Sequence, residues 1–172
     1  MNFLVVIVSY LLGSINFAYI TARIKGIDIS SEGSGNPGTS NVLRTLGKGS
    51  AAIVLLGDLL KGAIPIIFFY QDQYFLVYGL AAVVGHIYPV FYKFKGGKGV
   101  ATYLGVYVAT VLMNPYNSDL FNIEIFQILN IPVLAFFYFV VFKTTRVSAI
   151  ASLATVLVCL LYTSDAADDV IS

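Results

Sequence analysis

Charge is scarce in this 172-residue chain. Only 11% of its residues are Asp, Glu, Lys or Arg, and the net charge is +1. A soluble domain carries about 25% charged residues, so this chain has too little charge to face water over its whole surface. The near-zero balance also leaves no basic face for nucleic acid. Cysteine is almost absent: Cys159 stands alone, which excludes a disulfide framework and a cysteine-built zinc site. Histidine is equally sparse. His86 has no second His or Cys nearby, which argues against a metal centre. What fills the space is apolar: 58% hydrophobic residues, 13 Phe, 12 Tyr and a mean hydropathy of +0.85. Such a composition reads as a membrane protein.

Residues 3–22, FLVVIVSYLLGSINFAYITA, carry no charge. At about 1.5 Å per residue they suffice to cross a hydrocarbon core of about 30 Å. A signal peptide is the competing reading, but the segment lacks a basic n-region and a clear small-residue cleavage site, and further spans follow. Apolar runs at 51–70, 74–92, 99–113, 124–142 and 147–162 bring the expected spans to six. The runs at 99–113 and 147–162 are short and need flanking residues or local thinning of the bilayer. Continuous apolar runs exclude a β-barrel, leaving an all-α, polytopic membrane helix bundle over residues 1–162 as a single domain.

The connecting segments sort by charge. Arg23, Lys25, Arg44 and Lys48 lie in the first, Lys93, Lys95 and Lys98 in the third, Lys143 and Arg146 in the fifth. The second and fourth contain no Lys or Arg. The positive-inside rule therefore puts the N-terminus outside and the basic segments in the cytoplasm. The remaining base, Lys61, lies inside the second span, three residues after Asp58 and on the same helix face. Ionisable groups at that depth are costly, so GDLLKG is either a structural ion pair or part of a site.

The first cytoplasmic loop, KGIDISSEGSGNPGTSNVLRTLGKGS, contains Gly33, Gly35 and Gly38 in the spacing G-x-G-x-x-G, with Asp58 twenty positions further on. A dinucleotide site needs that pattern between a strand and a helix. Here a span ends just upstream and Asp58 lies in the next span, so the match is coincidental. The loop still suits a phosphate. Glycines let backbone N–H groups converge on an anion, Ser34, Thr39 and Ser40 offer hydroxyls, and Arg44 can grip a phosphate with two bonds. A short helix starting at TSNVLRTLG, capped by Asn36 or Ser40, would add its N-terminus.

A second glycine-rich stretch, GHIYPVFYKFKGGKGVAT, offers Lys95, Lys98, Gly96 and Gly97. Charge sorting alone explains lysines after a span, but not the glycines. Tyr88, Phe91, Tyr92 and Phe94 read as an aromatic belt at the lipid interface. His86 alone reads as a structural residue, and no carboxylate lies near it in the chain to orient its ring. The connection FKTTRVSAIAS adds Thr144, Thr145, Arg146 and Ser148. Three segments therefore point to a phosphate site at one membrane face.

These residues resemble the bacterial acyl-phosphate:glycerol-3-phosphate acyltransferases. The likeness runs in order through YLLGSI, GSGNPGTSNVLRTLG, GDLLKG, GHIYPVFYKFKGGKGVAT and TTRVSAIAS. The resemblance implies an integral enzyme of the bacterial inner membrane, multi-pass, with its site facing the cytoplasm and no cofactor. Its substrates would be fatty acyl phosphate and glycerol 3-phosphate, its products lysophosphatidic acid and phosphate, with membrane lipid alongside.

Carried onto this chain, Ser34, Ser40 and Arg44 match substrate-binding positions, with Gly35, Gly38 and Asn41 around them. Lys98 matches a phosphate-binding lysine, with Lys95, Gly96, Gly97 and Ser148 as further binding candidates. His86 and Asn36 match other motif positions. His86 and Ser34 are the catalytic candidates, a substrate phosphate being the alternative base, and Asp58 and Lys61 support the site. Family members continue into a seventh span and a basic C-terminal motif with an Asn. The tail YTSDAADDVIS resembles neither, which points to an atypical or truncated end at 163–172. A transporter for phosphorylated small molecules is the rival class, but it usually carries an internal repeat and midplane polar groups.

Overall fold

The computed structural model describes residues 1–113, which fall within a compact unit spanning Met1–Pro115. The apolar runs at 124–142 and 147–162, the candidates Thr144, Thr145, Arg146 and Ser148, and the tail at 163–172 lie outside the described residues. Six α-helices occur among the described residues, with no strand: α1 (Phe3–Ser14), α2 (Phe17–Ile24), α3 (Thr39–Leu46), α4 (Lys48–Phe69), α5 (Phe75–Ile87) and α6 (Val100–Met113), plus a single 3₁₀ turn at Val90–Tyr92. The stretches Phe3–Ile24, Lys48–Phe69 and Phe75–Tyr92 are long and apolar enough to cross a membrane, and Val100–Met113 is a shorter apolar helix.

The first span is not the continuous helix its composition suggests. It breaks between α1 and α2, where Ile15 and Asn16 are both extended. Asn16 causes the restart: its side-chain oxygen accepts from the N–H of Ala18 at 3.0 Å and of Tyr19 at 3.2 Å. Such a cap contributes about 1 kcal/mol. A break also frees carbonyls at the end of the preceding helix, which is tolerable at membrane depth only where protein satisfies them. The Ile15 carbonyl accepts from Lys61 Nζ at 2.8 Å.

Close approach of helices is bought with small residues rather than hydrophobic area. A side chain at Gly62 would meet the Thr102 carbonyl and one at Gly105 the Leu59 carbonyl, so α4 and α6 lie backbone to backbone. Gly13 against Ala82 and Gly85 against Tyr10 do the same for α1 and α5. Large apolar side chains such as Phe3, Leu4, Ile53, Leu56, Leu60 and Phe68 are exposed on the outside. Ser14, Asn16, Asp58, Lys61, His86 and Thr102 are buried. This inside-out distribution suits a lipid surround.

Connections alternate between two ends. At one, the Tyr78 hydroxyl donates to Asp72 Oδ2 at 2.7 Å and accepts from the Asn2 N–H at 3.1 Å, gathering the start of α1 and the α4–α5 turn. The Asp72 carboxyl is held below the ordinary aspartate range, chiefly by the Tyr78 hydroxyl and then by the Tyr74 N–H. A depressed folded value means that Asp72 stabilises the fold fully above pH of about 4 and loses this contribution as pH falls through the depressed value. Replacing Tyr78 with Phe should therefore flatten the acid limb of a melting-temperature profile in detergent. A Tyr78→Phe profile identical to that of the wild type would show that the Asp72 contact carries no stability.

Candidate functional site

At the opposite end, the two glycine-rich segments meet. The first is a loop from Lys25 to Gly38, leading into α3. Asp28 opens it by accepting from the Ser30 hydroxyl at 2.7 Å and the Ser30 N–H at 3.0 Å, bonds that hold its carboxyl below the ordinary range. Gly33 and Gly35 adopt φ of 58° and 68°, which a side chain would strain. Gly38, rather than Asn36 or Ser40, is the N-cap of α3, and no side chain caps the helix. The expected cap is therefore absent, and glycine leaves the first-turn N–H groups without a side-chain acceptor.

Asn41 braces the same loop. It is buried, its Oδ1 accepts from the Ser34 N–H at 2.9 Å, and its Nδ2 donates to the Glu32 carbonyl at 2.9 Å. Both ends of its amide take part in closing the loop, so it shapes the cradle. Ser34, Ser40 and Arg44 are exposed on this loop and on α3, with Gly35, Asn36 and Gly38 half-buried between them.

The second segment leaves α5 through Tyr88 and Pro89. The Tyr10 hydroxyl donates to the Tyr88 carbonyl at 2.8 Å, and Tyr92 stacks on Tyr19 with ring centroids 4.5 Å apart. Tyr88, Phe91 and Phe94 are exposed as a lipid belt requires, whereas Tyr92 is half-buried in that stack. Lys93 and Phe94 both take left-handed backbone conformations, reversing the chain so that Lys95, Gly96, Gly97 and Lys98 return toward α5. The Gly97 N–H then donates to the His86 carbonyl at 3.2 Å.

His86 lies where these pieces touch. A side chain at Gly97 would run into His86 Nε2 and come within 3.1 Å of the Pro37 carbonyl oxygen. The same Pro37 carbonyl accepts from Asn16 Nδ2 at 3.4 Å. The residue that restarts the broken span thus also tethers the first loop beside the second. On its other edge, His86 Nδ1 is 3.5 Å from Asp58 Oδ1, and Asp58 Oδ1 is 2.8 Å from Lys61 Nζ. The sequence offers the imidazole no neighbouring carboxylate, but the fold supplies one from α4. Asp58 and Lys61 are therefore an ion pair, as their spacing predicts, and reach both the imidazole and the break in the first span.

The structure thus joins His86, Asp58, Lys61, Gly96, Gly97, Pro37 and Asn16, with Ser34, Ser40, Arg44, Lys95 and Lys98 exposed on the two converging segments. Asn16 and Pro37 are the residues that sequence reasoning missed. Their signal was a polar Asn after Gly-Ser inside an apolar run. No group of three or more His, Cys, Asp or Glu side chains placed to hold a metal occurs among the described residues. The two segments carry cations, hydroxyls and backbone N–H groups, and a buried imidazole lies at their seam, groups of the kind suited to phosphate binding and proton transfer.

Residues 3–168 match the family described as glycerol-3-phosphate acyltransferase. The chain is 43% identical over 165 residues to glycerol-3-phosphate acyltransferase 2 of Bacillus cereus, covering 93% of this chain and 75% of that protein. It is 52% identical over 109 residues to the glycerol-3-phosphate acyltransferase of Aquifex aeolicus, covering 60% of this chain and 57% of that one. It is also similar to two crystal structures of PlsY (YgiH), an integral membrane glycerol 3-phosphate acyltransferase, at 37% identity and covering 95% of this chain and 76% of each. The glycerol 3-phosphate form gives a TM-score of 0.78 and the lysophosphatidic acid form 0.76.

Proposed function

The chain belongs to the glycerol-3-phosphate acyltransferase family, and from that membership we propose that it moves a fatty acyl group from acyl phosphate to the 1-position hydroxyl of glycerol 3-phosphate. The products are lysophosphatidic acid and inorganic phosphate, formed at the cytoplasmic face of the bacterial inner membrane. The observation that carries this reading is the position of His86, buried at the seam where Gly97 of one glycine-rich segment abuts Pro37 of the other.

Acyl phosphate is a mixed anhydride. The glycerol oxygen attacks its carbonyl carbon, a C–O ester bond forms, and the bond from that carbon to the phosphate oxygen breaks. The leaving group is already an anion, so the protein's main tasks are to position two phosphates that repel each other and to neutralise charge. Arg44, Lys95 and Lys98 supply cations, Ser34 and Ser40 hydroxyls, and the glycines backbone N–H groups. His86 Nε2 takes the proton of the attacking hydroxyl. Asn41 keeps the first loop in its cradle shape, and Ser148 is a binding candidate from the third segment.

The direct test incubates the purified full-length protein with palmitoyl phosphate and glycerol 3-phosphate, without magnesium, and follows lysophosphatidic acid by mass spectrometry. Product is expected with the acyl phosphate and not with the acyl thioester. Product from the thioester alone overturns the donor assignment. Uptake of glycerol 3-phosphate into vesicles without product would favour the transporter.

A further inference from the structure

Three consecutive residues at the break in the first span, Ser14, Ile15 and Asn16, each bond to a different part of the fold. Ser14 Oγ accepts from the Val90 N–H at 3.4 Å, on the second glycine-rich segment. The Ile15 carbonyl accepts from Lys61 Nζ at 2.8 Å, on α4. Asn16 Nδ2 donates to the Pro37 carbonyl at 3.4 Å, in the first loop. Ser14 and Asn16 are fully buried, so bulk water does not reach their side chains. Both are also fixed locally: the Ser14 hydroxyl donates to the Tyr10 carbonyl at 2.9 Å, and Asn16 Oδ1 accepts from the Ala18 and Tyr19 N–H groups.

What Asn16 holds is a rigid unit, because the Pro37 carbonyl and the Gly38 N–H belong to one planar peptide. The Gly38 N–H donates to the Asn36 carbonyl at 2.9 Å, so the plane is held at both ends. Gly38 is the N-cap of α3, so a shift of this plane moves the backbone N–H groups and hydroxyls of Thr39 and Ser40 with it. At 3.4 Å the bonds to Pro37 and Val90 are long, and they act as spacers more than as sources of stability. Extended backbone at Ile15 and Asn16 lets residues two apart serve the same end of the bundle. In a continuous helix they would point about 200° apart.

We infer that the Ser14–Asn16 break is a positioning element that sets the spacing of the two phosphate-handling segments, Asn16 acting on the first through Pro37 and Ser14 on the second through Val90. The inference rests on both segments serving the reaction proposed above, yet their seating can be read without turnover.

Asn16→Ser keeps a strong N-cap oxygen and removes the amide that reaches Pro37. Ser14→Ala removes the acceptor of the Val90 N–H. Backbone hydrogen exchange of the full-length protein in lipid nanodiscs should show a crossed pattern. Asn16→Ser should speed exchange about tenfold at residues 34–42 and leave 90–99 at the wild-type rate, and Ser14→Ala should do the reverse. Asn16→Thr, which fills more volume, should match Asn16→Ser. Melting temperatures should stay near that of the wild type, whereas Asn16→Ala, which also loses the cap, should melt lower. With palmitoyl phosphate and glycerol 3-phosphate titrated separately, Asn16→Ser should raise KM about tenfold for the substrate whose phosphate the first loop holds, with kcat close to that of the wild type. Wild-type exchange and KM values in Asn16→Ser reduce Asn16 to a helix cap and overturn the proposal. Faster exchange in both segments of either single variant also overturns it, because that is general loosening. A crossed pattern with neither KM moved ends the positioning role. If the wild type forms no lysophosphatidic acid, the proposed function fails, and the exchange pattern alone decides whether the break seats the segments.

Discussion

Replacing His86 with Gln should lower kcat by about 10²- to 10⁴-fold, the usual worth of a positioned general base. Glutamine preserves the polarity and much of the volume of the imidazole, and its amide can accept a hydrogen bond. It cannot take a proton near neutral pH. The fold should persist, because the hydrogen bond that ties the second segment back to α5 is made by backbone: the Gly97 N–H donates to the residue-86 carbonyl, not to the ring. Size-exclusion profile and melting temperature in detergent would confirm this. Turnover near that of the wild type in a folded variant would assign the proton to a substrate phosphate and leave His86 a structural residue.

Replacing Gly97 with Ala should be almost as damaging, although it adds a single methyl. The new carbon would occupy the position of the His86 Nε2 edge, with the Pro37 carbonyl oxygen at 3.1 Å on the other side. The backbone at Gly97 is itself bonded to His86, so the ring must swing or the glycine-rich segment must lift. A displacement of about 1 Å at a reacting group costs about 10²-fold, and kcat/KM should fall by that order. Gly49 provides the control. It is exposed near the start of α4 with nothing within 4 Å of an added carbon, so Gly49→Ala should leave activity unchanged and raise helix stability by up to about 1 kcal/mol. If Gly97→Ala were as active as Gly49→Ala, the seam between the two segments would not be where the chemistry occurs.

Within residues 1–113, the spans and the sorting of connections between two ends were legible because both are written in composition: apolar runs of membrane length and lysines confined to alternate segments. The glycine-rich stretches could be recognised for the same reason. The break at Asn16 was harder to see, since one amide in a run of apolar residues does not alter its average hydropathy, and its capping geometry depends on two specific N–H groups. The pairing of Asp58 with His86 was invisible, because it joins helices α4 and α5 across the bundle and no spacing in the chain encodes it. The bracing bonds of Asn41 were hidden for a different reason. An Asn in a polar loop serves equally well as a ligand or as a brace, and only the fold shows its two bonds to Ser34 and Glu32.

The interrupted first span also constrains how the protein assembles. When this segment enters the bilayer, its Ile15 carbonyl faces hydrocarbon, and an unmet polar group there costs several kcal/mol. Its partner, Lys61, is still to be inserted; it pairs with Asp58 on its own helix and keeps further N–H groups to donate. The first helix has its free carbonyl satisfied only when Lys61 donates to it at 2.8 Å. The first two spans are therefore coupled as a unit, in which the second completes the first by satisfying the carbonyl that the break leaves open.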